Sequence, residues 1–112
     1  SGKCNCRRNF GGRRRCRRWF FAFPKARGIG AVLTYEEYRP RTQVLERERH
    51  SGDLLGLVLA GELTLETGAG TRHRVRKGDA FHLPAGLEHV SSNQGKAVLK
   101  LVSVQLCPSK KG

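Results

Sequence analysis

The sequence lacks the features of membrane-spanning and secreted proteins. No apolar run reaches the ~18–20 residues that a membrane-spanning helix requires, and the longest, Leu54 to Ala60, has the length of a strand. No secretory signal is visible, because the apolar segment Trp19 to Phe23 is too short and no cleavage site follows it. We therefore expect a cytoplasmic protein.

Motifs of common catalytic and metal sites are also missing. The sequence has no glycine-rich phosphate loop, no Ser/His/Asp arrangement and no cysteine in an activating setting. Its four cysteines do not form the paired Cys-x-x-Cys spacing of zinc modules. Cys4, Cys6 and Cys16 could pair with one another or with Cys107 in an oxidising sample, but no pattern requires it.

Acidic residues are absent from positions 1–27, which hold ten of the 22 lysines and arginines. The remaining twelve basic and nine acidic residues leave only +3 of the total charge of +13 on the rest of the chain. Ser1 to Arg18 has too little aliphatic surface to offset the entropy lost on ordering. We therefore predict that residues 1–27 form a basic, cysteine-containing arm that is partly disordered.

Arg13 to Phe23 combines cations with four aromatic residues, and two interpretations stay open. In the first, residues 7–27 contact nucleic acid or an anionic membrane by phosphate attraction and stacking. In the second, Trp19 to Phe23 is an extra strand that packs on the main domain or on a second subunit. We favour the second, because an exposed run of aromatics promotes aggregation, and we predict a homodimer.

The rest of the chain has the rhythm of an all-β domain. Turn residues recur about every ten positions between short runs rich in valine and leucine. Thr42 to His50 alternates strictly, so Glu48 and His50 project from one face of a strand. A chain of 112 residues suits a single domain. We predict that this domain spans residues 28–106 and that a polar tail covers 107–112.

The stretch from Gly78 to Asn93 has the most specific pattern in the sequence. An apolar run is followed by a tight turn at Pro84-Ala85-Gly86, and His89 opens the returning strand. The spacing Gly78, five residues, Pro84, one, Gly86, two, His89, three, Asn93 matches the second conserved motif of the cupin superfamily at every defined position. This resemblance implies a double-stranded β-helix, a jelly-roll-like barrel, with His89 facing its interior as a metal ligand.

The first cupin motif is only partly kept. Counting back from Gly61, its second histidine falls on His50, its first histidine on Glu48 and its glutamate on Leu54. The resemblance thus implies an interior site at Glu48, His50 and His89, in which Leu54 cannot bind metal. Two imidazoles and a carboxylate suit a divalent metal such as zinc, iron, manganese or nickel. The same residues also suit a metal-free pocket for a small molecule.

Three functions therefore stay open, since this type of barrel hosts many chemistries. The preferred one is a single-domain cupin that binds a small molecule around Glu48, His50 and His89. The second is a metal-dependent oxygenase or isomerase acting on a small polar substrate. The third is a dimerising interaction module whose basic arm contacts nucleic acid.

Two further observations bear on these functions. The run His50 to Leu63 is also similar to the sensor cupins of some bacterial transcription regulators, whose helix-turn-helix pattern is not found here. The remaining histidines are not expected to be ligands. His73 lies among arginines, and His82 alternates with core-type residues, so both should point towards solvent.

Overall fold

The computed structural model describes residues 16–26, 29–43, 51–68 and 70–108. Within these ranges the chain forms strands joined by turns, and none of the described residues is helical. The strands are β1 (Cys16–Ala26), β2 (Ile29–Tyr38), β3 (Thr42–Gln43), β4 (Leu54–Ala60), β5 (Glu62–Thr67), β6 (Thr71–Arg76), β7 (Ala80–Leu83), β8 (His89–Asn93) and β9 (Leu99–Pro108). The predicted all-β class is confirmed.

The strands form two antiparallel sheets that enclose one core. The larger sheet has the order β1-β2-β9-β4-β7, and the smaller has the order β3-β8-β5-β6. Apolar side chains from both sheets meet between them, as expected for two layers packed around one hydrophobic core. The buried members are Tyr38, Leu54, Val58, Leu63, Leu65, Val75, Leu83, Leu99 and Leu101.

The edge of the larger sheet comes from a segment that the sequence assigned to the basic arm. β1 pairs with β2 from Cys16 opposite Tyr38 onwards, and the ring centroids of Trp19 and Tyr35 lie 5.3 Å apart. Trp19 to Phe23 is thus an extra strand of the sheet. Residues 1–15 lie outside the described part of the chain, and the domain boundaries stay a prediction.

β4 is apolar on both of its faces. Leu54, Gly56 and Val58 are buried, whereas Leu55, Leu57 and Leu59 are exposed on the outer face. Gly56 lies opposite Phe81 of β7, and a Cβ atom at Gly56 would overlap the Phe81 ring. The glycine is therefore required here because an aromatic ring covers its backbone.

We expect Gly56→Ala to destabilise the fold by about 1–3 kcal/mol, because the added methyl group displaces the Phe81 ring from a packed interior. Urea denaturation measures this loss. The same substitution in a Phe81→Ala background should cost much less, since the ring is then absent. Equal losses in both backgrounds would contradict this origin of the strain.

Asn93 joins three parts of the chain at the end of β8. Its Nδ2 donates to the carbonyl oxygens of Tyr38 at 3.1 Å, Arg39 at 3.2 Å and Ala97 at 2.8 Å. Its Oδ1 accepts the Gly95 N–H at 3.0 Å. The side chain is 1% exposed, so these carbonyls and this amide have little access to water as an alternative partner.

Asn93→Asp should destabilise the protein by about 2–4 kcal/mol, because it turns a donor into an acceptor that faces carbonyl oxygens. The free energy of unfolding in urea is the measurement. Gln94→Glu, an amide-to-acid change at the adjacent exposed position, serves as the control and should cost under about 1 kcal/mol. Similar losses for the two variants would show that Asn93 has no special structural role.

Candidate functional site in the barrel interior

His89 lies on the inner face of the smaller sheet. It opens β8 and is paired with Thr67 of β5, while the next inward pair is Leu65 with Ser91. Leu65 belongs to the hydrophobic core, and residues two apart on a strand share a face. His89 therefore projects inward with Ser91, and its side chain is 3% exposed.

Polar residues that sequence reasoning missed lie on the inner face of the larger sheet. Ser103 and Gln105 of β9 are 4% and 1% exposed, and they pair with Gly56 and Leu54 of β4. Thr34 of β2 is also buried and lies opposite Ser103. The inner face of β9 thus changes from leucine to polar residues along its length.

A signal for these residues was present in the sequence. In the last strand, positions 102 and 104 are valines, while the alternate positions 103 and 105 are polar. Read alone, this alternation predicts valines inside and polar residues outside. The structure has the opposite arrangement, with Val102 and Val104 on the outer face and Ser103 and Gln105 buried. A polar pair within an apolar strand can therefore mark the site rather than the solvent face.

The inward polar groups of both sheets lie at the same end of the barrel. β4 leads into the turn at Gly61 and β5 leads out of it, and the two strands belong to different sheets. Leu54, the first residue of β4, and Thr67, the last residue of β5, are therefore both far from this turn. Leu54 pairs with Gln105, and Thr67 pairs with His89. Gln105 and His89 consequently line the same end, while core residues nearer Gly61, such as Val58, Leu63 and Leu99, are aliphatic.

Of the three residues predicted to form the site, the described part of the chain contains only His89. Glu48 and His50 lie in residues 44–50, outside the described ranges. Leu54, which stands at the glutamate position of the cupin motif, is buried in the core. Within residues 16–26, 29–43, 51–68 and 70–108, no three His, Cys, Asp or Glu side chains are grouped to hold a metal.

The turn that leads to His89 is held from outside the barrel by Asp53. The carboxylate accepts the Ala85 N–H at Oδ1 at 2.9 Å and approaches His82 Nε2 with Oδ2 at 3.1 Å. Leu87 N donates to the Pro84 carbonyl at 3.2 Å and closes the turn. The Ala85 N–H, followed by the contact with His82, holds the pKa of Asp53 below its usual value. Asp53 thus fixes the backbone four residues ahead of the candidate ligand.

The remaining histidines lie outside the interior. His82 pairs with the outward Leu55, and its side chain is 51% exposed. His73 is exposed on edge strand β6, with Nε2 3.3 Å from Thr67 Oγ1. Both therefore face solvent, as the sequence predicted.

The Cupin_2 family model, which describes a cupin domain, matches residues 34–105. The chain belongs to the cupin family. The cupin is also 31% identical over 72 residues to the HTH-type transcriptional regulator PuuR of Escherichia coli strain K12. That match covers 64% of the cupin and 38% of PuuR, so the chain spans well under half the length of this relative.

Solved structures show the same barrel. An RmlC-like cupin with a double-stranded β-helix fold from Methanocaldococcus jannaschii superposes with a TM-score of 0.67 at 13% identity, covering 82% of this cupin and 81% of that chain. A cupin superfamily protein from Desulfitobacterium hafniense gives 0.64 at 20% identity, covering 81% and 78%. The predicted double-stranded β-helix is thus confirmed. Among the described residues, none forms a helix long and apolar enough to cross a membrane.

The hydrogen bonds of Asp53 predict an acid-dependent loss of stability. The pKa of Asp53 is lower in the folded than in the unfolded protein, so the ionised carboxylate stabilises the fold above the unfolded-state pKa. This stabilisation is lost as pH falls through the lower, folded-state pKa. The melting temperature of Asp53→Asn should therefore decline less than that of the wild type below about pH 4.

His82→Ala is the matched variant for this measurement. It removes the contact with His82, which is the smaller contribution to the lowered pKa of Asp53, and leaves the hydrogen bond from the Ala85 N–H in place. The variant should therefore retain most of the acid-dependent decline in melting temperature. Superimposable melting curves for the wild type and Asp53→Asn across this pH range would contradict the role of the carboxylate.

Proposed function

We propose that this cupin binds a small polar molecule inside the barrel, at the end lined by His89, Ser103 and Gln105. The observation that carries the proposal is that His89, Ser103 and Gln105 are buried together at the end of the barrel away from Gly61, beside an apolar core. Small-molecule sites combine an apolar wall with a few buried polar groups of this kind.

The chemistry of the described lining favours an uncharged or weakly acidic ligand. Ser103 and Gln105 offer a hydroxyl and a carboxamide, which can both donate and accept hydrogen bonds. The imidazole of His89 adds a group that can bind a ligand carboxylate when protonated or a hydroxyl when neutral. We propose that Glu48 and His50, on the preceding segment, complete this set.

The residues fit a metal only in part. His89 supplies one nitrogen ligand, whereas Leu54 presents a hydrocarbon side chain at the position where the cupin motif has a carboxylate. A divalent metal would be held by His89 with Glu48 and His50, and it would supply Lewis-acid chemistry. Ligand binding by the polar residues does not require a metal.

The comparison with PuuR supports binding over turnover. A transcriptional regulator needs to change its conformation when it binds a ligand, and it does not need to convert a substrate. We therefore propose that this cupin acts through occupancy of its interior site by a ligand that is not chemically converted.

A ligand screen with interior and surface variants tests the proposal. Small carboxylic acids, polyols and amino acids, added at millimolar concentration, should include at least one that shifts the NMR signals of the wild-type protein. Both His89→Ala and Gln105→Leu should weaken that binding by about tenfold or more, because each removes a buried partner worth about 1.4 kcal/mol. His82→Ala, a histidine change on the outer surface, should leave the affinity unchanged.

Elemental analysis of freshly purified protein determines whether a metal is part of the interior site. A stoichiometric metal that is lost in His89→Ala and kept in His82→Ala would add a metal to the site. Ligand affinity that is the same in the wild type and in both interior variants would contradict the interior site.

A further inference from the structure

Strand β6 places His73 on the inner side of the smaller sheet. Val75, two residues further along the strand, belongs to the hydrophobic core, and residues two apart on a strand share a face. The register partner of His73 is Leu65 of β5, which is also a core residue. His73 is nevertheless exposed, because β6 is the edge strand of its sheet. It therefore stands at the rim of the interior, whereas His82 stands on the outer surface.

A hydroxyl group lies between this rim and His89. Thr67 Oγ1 is 3.3 Å from His73 Nε2, and Thr67 is the register partner of His89. The Gly68 N–H donates to the Glu88 carbonyl at 3.2 Å, which makes Thr67 and His89 a non-hydrogen-bonded pair of the antiparallel ladder. Side chains approach most closely in pairs of this kind. Thr67 thus has an imidazole-bearing residue on each side.

β6 and β7 border the same gap between the two sheets. Each is the edge strand of its sheet, and three residues, 77–79, connect them. Beside this connection the gap is closed, because Gly78 N donates to the Val58 carbonyl and Val58 N donates to the Asp79 carbonyl. Along the strands themselves, β6 and β7 are not paired with each other. We call this gap, with His73 and Phe81 on the inner sides of its two strands, the side opening.

Phe81 supplies an apolar wall to the side opening. Its ring lies over the inner face of Gly56, its register partner, and it is half-buried against the core. Gly56 pairs in turn with Ser103, so the ring extends across β4 towards a hydroxyl of the proposed site. The accessible part of a phenyl ring favours contact with a flat apolar group.

The strand that carries His73 also carries an excess of positive charge. β6 contains three arginines and no acidic residue. The two glutamates of β5 leave one arginine in excess, because Glu62 is shared by Arg74 and Arg76, whose Nε atoms lie 3.7 and 3.3 Å from its carboxylate oxygens. Arg74 follows His73 directly, and its side chain is 70% exposed. Because a positive potential raises the local concentration of anions, the charge favours a negatively charged ligand at the side opening.

We propose that the side opening is an anion subsite of the interior site, which takes the carboxylate of a ligand whose body is flat and apolar. When His73 Nε2 is protonated, it donates to Thr67 Oγ1, which leaves the hydroxyl proton for a carboxylate oxygen. Phe81 contacts the apolar body, and His89 and Gln105 bind a polar group at its far end. This inference rests on the proposed function, because it assigns the two ends of one ligand to that site.

Three related probes test the ligand class by calorimetric titration of the full chain. The first, 4-hydroxybenzoate, has a carboxylate, a flat ring and a distal hydroxyl, whereas 4-hydroxybenzamide lacks the charge and 4-hydroxybutyrate lacks the ring. The wild type should bind 4-hydroxybenzoate at least about tenfold more tightly than either of the others. Phe81→Leu, which keeps an apolar side chain over Gly56, should reduce the preference for 4-hydroxybenzoate over 4-hydroxybutyrate. Equal affinity for 4-hydroxybenzoate and either other probe, or no binding of 4-hydroxybenzoate, would overturn the subsite.

Substitutions at the rim locate the carboxylate. His73→Ala and Thr67→Val should each lower the preference for 4-hydroxybenzoate over its amide by about fivefold or more, because each removes a donor near the charge. Thr67→Ser keeps the hydroxyl and should retain the preference. His82→Ala is the matched control, since it removes an exposed histidine from the outer face of the other edge strand, and it should change nothing. Losses that are equal for the acid and the amide would reflect altered packing and would overturn the anion subsite.

Interior variants separate this inference from the proposed function. His89→Ala and Gln105→Leu should weaken 4-hydroxybenzoate and 4-hydroxybenzamide to the same extent, because both probes carry the distal hydroxyl. If these two variants weaken binding while His73→Ala and Thr67→Val do not, the interior site stands and the anion subsite is overturned. If only the rim variants weaken binding, the proposed function fails, and the side opening is no longer a subsite of the interior.

Discussion

The carboxamide of Asn93 is the contact on which the arrangement of the two sheets depends. It binds carbonyl oxygens at the end of β2 and in the loop that leads to β9, so it fixes strands of the larger sheet to the end of a strand in the smaller one. β2 and β9 are neighbours in the larger sheet, and β8 bears His89. The hydrogen bonds of this buried side chain therefore help to set the position of His89 relative to Ser103 and Gln105.

The barrel combines two requirements that compete in a small domain. Stability requires apolar packing, such as that of Val58, Leu63 and Leu99 near Gly61, while the proposed site requires buried polar groups, and Ser103 and Gln105 lie at the opposite end. Separating them along the barrel lets one strand contribute to both, as β9 does with Leu101 and Gln105. Asp53 supports the polar end from the outer surface, where its charge stays in water and needs no burial.

The sequence predicted the parts of the fold that depend on local geometry. The tight turn at Pro84-Ala85-Gly86 and the outward direction of His82 follow from residue types and the two-residue period of a strand. The inward position of Gln105 could not be predicted, because the alternation of valines and polar residues in β9 predicts the reverse orientation, and only the structure shows Ser103 and Gln105 buried. The role of Asp53 depends on a bond to Ala85, 32 residues away, which only the assembled sheet brings within reach.

The central position of β9 determines the order in which this cupin can fold. Ile29 of β2 pairs with Pro108 of β9, so the main contact of the larger sheet joins segments from nearly opposite ends of the described chain. Closing such a long loop costs entropy before any contact offsets it, which makes this step slow. The β1–β2 and β5–β6 hairpins can form early. The hairpin that contains Trp19 must then wait for β9, and during protein synthesis it stays exposed until β9 has left the ribosome.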